Sequence, residues 1–152
     1  MSEPMREQTR ETVYFRMESR SHNEQFARVV VAVFASRLDP TVEELNDIKT
    51  AVSEAVTNAI IHGYEEKDGW VEMEVSVDTT ARELTVTVSD AGRGIEDIEK
   101  AREPFFTTKG ENERSGMGFS FMEAFMDTLE VESEAGRGTR IRMSKKIGQP
   151  EC

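Results

Sequence analysis

Apolar side chains recur along this chain with two different periods, and the changes of period divide it into strands and helices. Alternation at every second position predicts a first strand from Thr12 and two more strands after Gly69. A closing hairpin is predicted after Met126, with its turn at Gly136-Arg-Gly138. The alternating residues are Val13, Phe15 and Met17; Val71, Met73, Val75 and Val77; Leu84, Val86 and Val88; Leu129 and Val131; and Thr139, Ile141 and Met143. Strands that alternate so regularly have one covered face and one wet face.

Helical spacing follows the first predicted strand. Ser21 and Glu24 have the spacing of a capping box, and Asp39-Pro40 ends the segment. The predicted core stripe of this helix is Phe26, Val29, Val30, Val33, Phe34 and Leu38. Val31 and Ala35 lie off that stripe, so the helix is more apolar around its circumference than a surface helix needs. This favours a second protein that covers it.

The longest helical pattern begins at another capping box, Thr41 and Glu44, and ends at Gly63, which fits a glycine C-cap. Its predicted buried stripe is Ile48, Ala51, Val52, Ala55, Val56 and Ala59. Glu54 and Asn58 lie one turn apart at the border of that stripe, with His62 a further turn along. Such a pair is commonest on a solvated flank, so its chemistry depends on what other segments bring near it.

These elements predict an α+β two-layer sandwich whose mixed, mostly antiparallel sheet carries helices on one face. Residues 1–10 are predicted to be a disordered tail, 11–146 one domain, and 147–152 a C-terminal tail. The segment from Thr107 to Gly116 has no apolar residue, and a third helix follows it with Phe119, Met122 and Met126. Long polar loops in compact domains are usually lids or binding loops.

Composition limits the possible partners. The formal net charge of −11 argues against direct nucleic-acid binding, because phosphate backbones favour clusters of Lys and Arg. The acidity does not choose between an enzyme and a binding protein. The longest apolar run, Val29 to Ala35, is far below the roughly 20 residues that span a bilayer, and no basic and apolar leader opens the chain. We therefore expect no membrane association and a cytoplasmic location. The lone cysteine, Cys152, forms no internal disulfide.

Glycines mark the candidate site. Seven of the ten lie between Gly92 and Gly138, at predicted turns. Gly116-Met-Gly118 directly precedes a helix, where backbone N–H groups and the helix dipole favour phosphate oxygens. By itself this signal is weak. The chain has no Walker A sequence and no G-x-G-x-x-G after its first strand, so neither of those nucleotide folds is supported.

The polar residues near these glycines suggest adenine nucleotide chemistry. Asp90, at a strand end, could accept a hydrogen bond from the exocyclic amine of adenine, whereas guanine would present a repelling carbonyl. Asn58 could bind Mg²⁺ already held by phosphates, and Glu54 could take a proton from an attacking hydroxyl. Lys109 and Arg114 could neutralise the phosphates. The structural alternatives are a turn-forming Asp90 and two solvated cations.

The set of segments resembles the nucleotide-binding boxes and terminal threonine of the GHKL superfamily, whose ATP-binding domain is the Bergerat fold. The segments are Glu54-Ala-Val-Thr-Asn58, Asp90-Ala-Gly92-Arg-Gly94, Pro104-Phe-Phe-Thr-Thr-Lys109, Gly116-Met-Gly118 and Gly138-Thr139. From about Val13 to Lys146 the chain further resembles the sporulation anti-sigma F factors of endospore-forming bacteria. NEQFARVVVAVFASRLDPTVEEL, VSEAVTNAIIHGY and FTTKGENERSGMGF carry that likeness.

The resemblance implies a homodimeric serine kinase that is also a binding protein. Such proteins hold the sporulation sigma factor F inactive when ATP is bound, and they phosphorylate an anti-anti-sigma factor on a serine. Carried over by position, Glu54 is the catalytic base and Asn58 the Mg²⁺ ligand. Asp90 and Thr139 form the adenine site, and Arg28 contacts partners. The remaining residues implied to bind ATP or ADP, several of them in a flexible lid, are Gly92, Gly94, Thr108, Lys109, Arg114, Gly116 and Gly118.

Two alternatives share this fold. One is a stress-response anti-sigma kinase. The other is a nucleotide-dependent sequestering module that no longer transfers phosphate, although such a binder has no need for Glu54 as a base. A histidine kinase is disfavoured because the chain has no separate dimerisation helix pair bearing a phosphoacceptor histidine. We interpret His22 and His62 as structural or solvated.

Overall fold

Five strands form one sheet in the order β1-β2-β3-β5-β4 in a computed structural model that describes residues 9–65, 67–95, 98, 102 and 118–148. The strands are β1 (Arg10–Glu18), β2 (Trp70–Asp78), β3 (Glu83–Asp90), β4 (Thr128–Glu134) and β5 (Gly138–Lys146). All neighbouring pairs are antiparallel. The α+β class is confirmed, while the parallel component of the predicted mixed sheet is not found among the described residues.

The helices are α1 (Asn23–Ala35), α2 (Val42–Thr57) and α3 (Gly118–Phe125). A 3₁₀ turn, Ser36–Leu38, extends α1, and a π-helical turn, Asn58–Gly63, extends α2. Helix α2 contacts both α1 and α3. The polar loop between 103 and 117 lies outside the described residues, as do most of the N-terminal tail and the last four residues.

Strand register places the predicted apolar positions on one face of the sheet. One row crosses all five strands as Phe15, Met73, Val88, Ile141 and Val131. A parallel row is formed by Val13, Val75, Val86, Met143 and Leu129. A shift of register by one residue in any strand would turn its apolar side chains to the opposite face, so burial of this face fixes the register.

The predicted core stripe of α1 is wrong at three positions. Phe26, Val29 and Val33 are 55%, 55% and 64% exposed. The buried residues of α1 are Ala27, Val31, Phe34 and Ala35, of which Phe34 belongs to the predicted stripe. Both stripes satisfy the helical period, because this helix is apolar on nearly all sides. The small Ala27 and Ala35 allow α1 to lie close to its neighbours, which periodicity alone does not reveal.

The prediction for α2 is confirmed, since its whole predicted stripe is no more than 1% exposed. The capping box at its start also forms: Glu44 N–H donates to the Thr41 hydroxyl at 3.0 Å, and Thr41 N–H donates to the Glu44 carboxylate at 2.9 Å. The capping box predicted at Ser21 is wrong. Helix α1 has His22 as its N-cap without a side-chain cap, and the Glu24 carboxylate accepts from Ser53 of α2 instead.

Candidate nucleotide site

The Asp90 carboxylate lies in a turn at the end of β3. Gly92 N–H donates to its Oδ1 at 2.9 Å, and Asp90 is paired in register with Thr139 of β5. Burial raises the pKa of this carboxyl to about 6, although backbone hydrogen bonds from Gly92 and Thr139 act in the opposite direction. The Asp90 carboxylate is half-buried, and these two hydrogen bonds only partly offset the cost of burying its charge. It therefore suits a ligand that donates a further hydrogen bond.

Three glycines allow close backbone contacts around Asp90, one with its carboxylate and two between backbone segments. A Cβ atom on Gly63 would lie 2.7 Å from Asp90 Oδ1, one on Gly92 would lie 2.0 Å from the Gly63 carbonyl oxygen, and one on Gly138 would lie 2.1 Å from the Asp90 carbonyl oxygen. The sequence predicts a glycine C-cap at Gly63. That prediction is wrong: the last turn is π-helical, its C-cap is Tyr64, and Gly63 does not have a positive φ. A side chain at this position would displace the Asp90 carboxylate.

Thr139 is 4% exposed and shares a hydrogen bond of 2.8 Å with the Ser133 hydroxyl. Ser133 also accepts from Ile95 N–H at 2.7 Å. Gly94 has a φ of +77°, and a Cβ there would lie 2.1 Å from the Glu134 carbonyl oxygen. The segment after Asp90 is therefore held against the β4–β5 hairpin, so Thr139 and Gly94 are brought to the same region as Asp90 and Gly92.

Glu54 and Asn58 lie at the end of α2 that leads to Asp90. Both are partly buried. A Cβ atom on Gly118 would lie 3.4 Å from Glu54 Oε1, so the first residue of α3 adjoins this carboxylate. The N-terminus of a helix favours negative charge, and a phosphate brought to the same place would gain from the same backbone N–H groups.

The donor set at this end of α2 suits Mg²⁺. The amide oxygen of Asn58 is a hard oxygen donor, and Gly118 has no side chain to occupy the space beside the neighbouring Glu54 carboxylate. No group of three or more His, Cys, Asp or Glu side chains suitable for a metal occurs in the described part of the chain. Most ligands of such an ion would therefore have to come from phosphate or water.

Four of the residues predicted to bind nucleotide lie outside the described residues: Thr108, Lys109, Arg114 and Gly116. The sequence analysis also missed two contributors. Tyr64 contacts the Asp90 turn through its hydroxyl, and the π-helical turn delivers Gly63 to the carboxylate. The helical period gave no signal for either, because it does not reveal a widened turn or a contact between distant segments.

Arg28 lies on α1, one turn after Glu24. Its Nε is 2.9 Å from Glu24 Oε2 in an ion pair, but the angle is not that of a hydrogen bond. Glu24 in turn accepts a hydrogen bond from Ser53, the residue before Glu54. The Arg28 side chain is 37% exposed, so it is neither a freely solvated arginine nor a fully buried one.

Comparison with known proteins shows the family of this chain. Residues 17–145 match the family model of the histidine kinase-like ATPase domain. The anti-sigma F factor of Thermoanaerobacter sp. strain X514 is 60% identical over 130 residues, which cover 86% of this chain and 90% of that protein. The chain belongs to the anti-sigma F factor family. Another member, from Clostridium acetobutylicum, is 61% identical over 129 residues, 85% of this chain and 89% of its own length.

The backbone of this chain is also similar to that of a solved structure. The RsbU and RsbW domains of a Mycobacterium tuberculosis protein align with a TM-score of 0.65 at 15% identity, covering 92% of this chain and 33% of that one. At that identity the match shows the fold alone. Together with the family model, it confirms the predicted GHKL fold. None of the described helices is long and apolar enough to cross a membrane.

Proposed function

We propose that this chain is an ATP-dependent anti-sigma kinase. It binds and inhibits the sporulation sigma factor F, and it phosphorylates a serine of an anti-anti-sigma factor, which is thereby inactivated. The anti-sigma part of the proposal rests on the high identity to proteins named anti-sigma F factors over most of both chains. The kinase part rests on the site.

A single observation carries the kinase proposal. One continuous helical segment presents Glu54 and Asn58 and then, through Gly63, contacts the Asp90 carboxylate. The base-recognition end and the phosphate end of a nucleotide would therefore lie along the same segment. Thr139 and the glycines at 92 and 94 would complete the adenine end, while Gly118 at the start of α3 would adjoin the phosphate end.

The site supplies the groups for phosphoryl transfer. The serine oxygen of the anti-anti-sigma factor would attack the γ-phosphorus, the bond to the β-phosphate oxygen would break, and ADP would leave. Glu54 would accept the hydroxyl proton, and Asn58 would hold Mg²⁺ together with the phosphate oxygens. Mg²⁺ would supply charge neutralisation on the phosphates. The proposed roles of Thr108, Lys109, Arg114 and Gly116 are to complete the nucleotide site as a lid.

We also propose an oligomeric state, a location and a partner-binding surface for the protein. The resemblance favours a homodimer in the cytoplasm, with Arg28 at the partner-binding surface. Partner binding at Arg28 would compete with its ion pair to Glu24, whose carboxylate is 21% exposed. Sedimentation of the purified chain tests the dimer directly.

Phosphoryl transfer from γ-labelled ATP to a purified anti-anti-sigma factor tests the kinase. With Mg²⁺ present, we expect label on a serine of the partner with the wild-type chain. Glu54→Gln should reduce the rate by about 100-fold or more, because general base catalysis contributes about that much. Its affinity for ATP should stay close to that of the wild type.

Asn58→Ala tests the assignment of Asn58 as the Mg²⁺ ligand. It should weaken ATP binding in the presence of Mg²⁺ but have little effect when EDTA is added. Normal transfer by Glu54→Gln would contradict the base assignment. Normal ATP binding with no transfer by the wild type would instead favour the sequestering module, and capture of a different sigma factor would favour the stress-response alternative.

A further inference from the structure

We infer that Tyr64 is a positioning residue that orients the Asp90 carboxylate and thereby sets the preference of the site for adenine. This inference rests on the proposed function, because it concerns how the same site recognises its nucleotide. It assigns a role to a side chain that lies outside the nucleotide-binding segments recognised in the sequence.

The Tyr64 hydroxyl connects two distant segments. It donates to the Trp70 carbonyl oxygen at 2.8 Å and accepts from Ala91 N–H at 2.7 Å. Ala91 directly follows Asp90, so this hydrogen bond fixes the peptide that carries the carboxylate. The hydroxyl oxygen therefore serves as both donor and acceptor, a combination that a phenylalanine ring lacks.

The tyrosine ring is itself held in place. A Cβ atom on Gly69 would lie 2.5 Å from Tyr64 Cε1, so the ring packs directly on the backbone of the segment before β2. Tyr64 N–H donates to the Ala59 carbonyl oxygen at 3.0 Å, which ties the residue to the π-helical turn. The position of the hydroxyl is thus determined by two elements that are themselves anchored to the sheet and to α2.

The other attachments of the Asp90 turn make its orientation sensitive to Tyr64. Arg93 N–H donates to the Gly63 carbonyl oxygen at 2.9 Å, and Arg93 Nε donates to the His62 carbonyl oxygen at 3.0 Å. These bonds fix the far end of the turn, whereas Tyr64 holds Ala91 just beyond the last paired residue of β3, Asp90. The Gly63 backbone leaves little space beside the carboxylate, and hydrogen bonds weaken steeply when misaligned.

The test is Tyr64→Phe with two nucleotides, ATP and purine riboside triphosphate, which lacks the 6-amino group. Calorimetry with Mg²⁺ should show that the wild type prefers ATP. In Tyr64→Phe we expect ATP affinity to fall about fivefold, the worth of one hydrogen bond, while the analogue changes less than about twofold. Tyr14→Phe is the matched control, since Tyr14 is the only other tyrosine, lies on β1 and is 60% exposed. It should leave both affinities unchanged.

Each other outcome would contradict either the positioning role of Tyr64 or the proposed function. Equal weakening of both nucleotides, or no change in the preference for ATP, would overturn the positioning role while leaving the proposed function intact. A wild type that binds neither nucleotide would overturn the proposed function itself. If Tyr64→Phe does not fold, Gly69→Ala serves instead. Its methyl group should displace the ring and reduce the same preference for ATP, and an unchanged preference would again contradict the inference.

Discussion

At the residue scale, the geometry of the candidate site depends on three glycines as well as on the side chains around it. Gly63, Gly92 and Gly138 each face a backbone or carboxylate oxygen so closely that no Cβ atom fits. Asp90 is consequently enclosed, and its pKa rises because of this burial. The same enclosure that destabilises the ionised carboxylate makes it a strong acceptor for a ligand donor.

A side chain at Gly138 should destabilise the protein in two ways, through its positive φ and through steric overlap. A comparison with Gly136 separates the two. Gly138 has a φ of +104° and faces the Asp90 carbonyl oxygen, whereas Gly136 has a φ of +82° and no atom within 4 Å of the position that a Cβ would take. We expect Gly136→Ala to reduce the free energy of unfolding by about 1–2 kcal/mol from φ alone. Gly138→Ala should cost at least about 3 kcal/mol, because steric overlap is added. Urea unfolding of both variants measures the difference, and equal losses would contradict it.

The raised pKa of Asp90 predicts a pH dependence of stability. Its carboxyl has a pKa of about 6 in the folded chain against an ordinary value of 3.8, so the folded state holds the proton more tightly. Its favourable contribution is therefore fully present below about pH 4 and is lost as the pH rises through about 6. Relative to Asp90→Asn, the wild type should lose up to about 3 kcal/mol of unfolding free energy across this range.

The comparison with Asp90→Asn is needed because the other carboxylates of the chain titrate in the same range. Urea unfolding of both proteins at several pH values, without nucleotide, gives the difference directly. A difference that stays constant between about pH 4 and pH 7 would contradict the raised pKa. In the same variant ATP binding should be weakened, since the amide replaces one acceptor oxygen with a donor.

At the scale of elements, α1 and α2 show how differently two helices of similar pattern are specified. Helix α2 has one apolar stripe and a complete capping box, so its start and its buried face agree with the sequence. Helix α1 is apolar on several faces and begins without a side-chain cap. Its orientation is therefore decided by packing against α2 and the sheet, which leaves Phe26, Val29 and Val33 exposed.

The two predicted capping boxes give a matched test. Thr41→Ala removes the acceptor for Glu44 N–H, so we expect the unfolding free energy to fall by about 1 kcal/mol. Ser21→Ala should change it by less than about 0.5 kcal/mol, because Ser21 is exposed and does not cap α1. Chemical denaturation measures both. A loss at Ser21 as large as that at Thr41 would mean that α1 is capped by Ser21 after all.

At the scale of the whole molecule, charge and hydrophobic burial act in opposite directions. The formal net charge of −11 produces self-repulsion in the compact state. Several ion pairs join the described residues, such as Arg93 with Glu65 at 3.1 Å, but they lie at the surface and contribute little. Burial of one face of the sheet against the helices therefore provides the main stabilisation.

Salt should consequently stabilise the protein. Raising NaCl from about 0.02 M to about 0.5 M shortens the screening length to a few ångströms, so repulsion is reduced more than the weak surface ion pairs are. We expect the midpoint of urea unfolding to rise. MgCl₂ at the same ionic strength is the control for specific binding of the divalent cation. A fall of the midpoint in NaCl would mean that attractive pairs outweigh the repulsion.

The sequence alone determined the strands, the buried face of the sheet, the course of α2 and the positions of Glu54, Asn58 and Asp90. Those features follow from local periodicity, capping and strand ends, which depend on neighbouring residues in the chain. Tertiary structure decided which face of α1 is buried, that Gly63 lies against the Asp90 carboxylate, and that Tyr64 reaches Ala91. Each of these depends on contact between segments far apart in the sequence, and contact distances are fixed only when the chain packs.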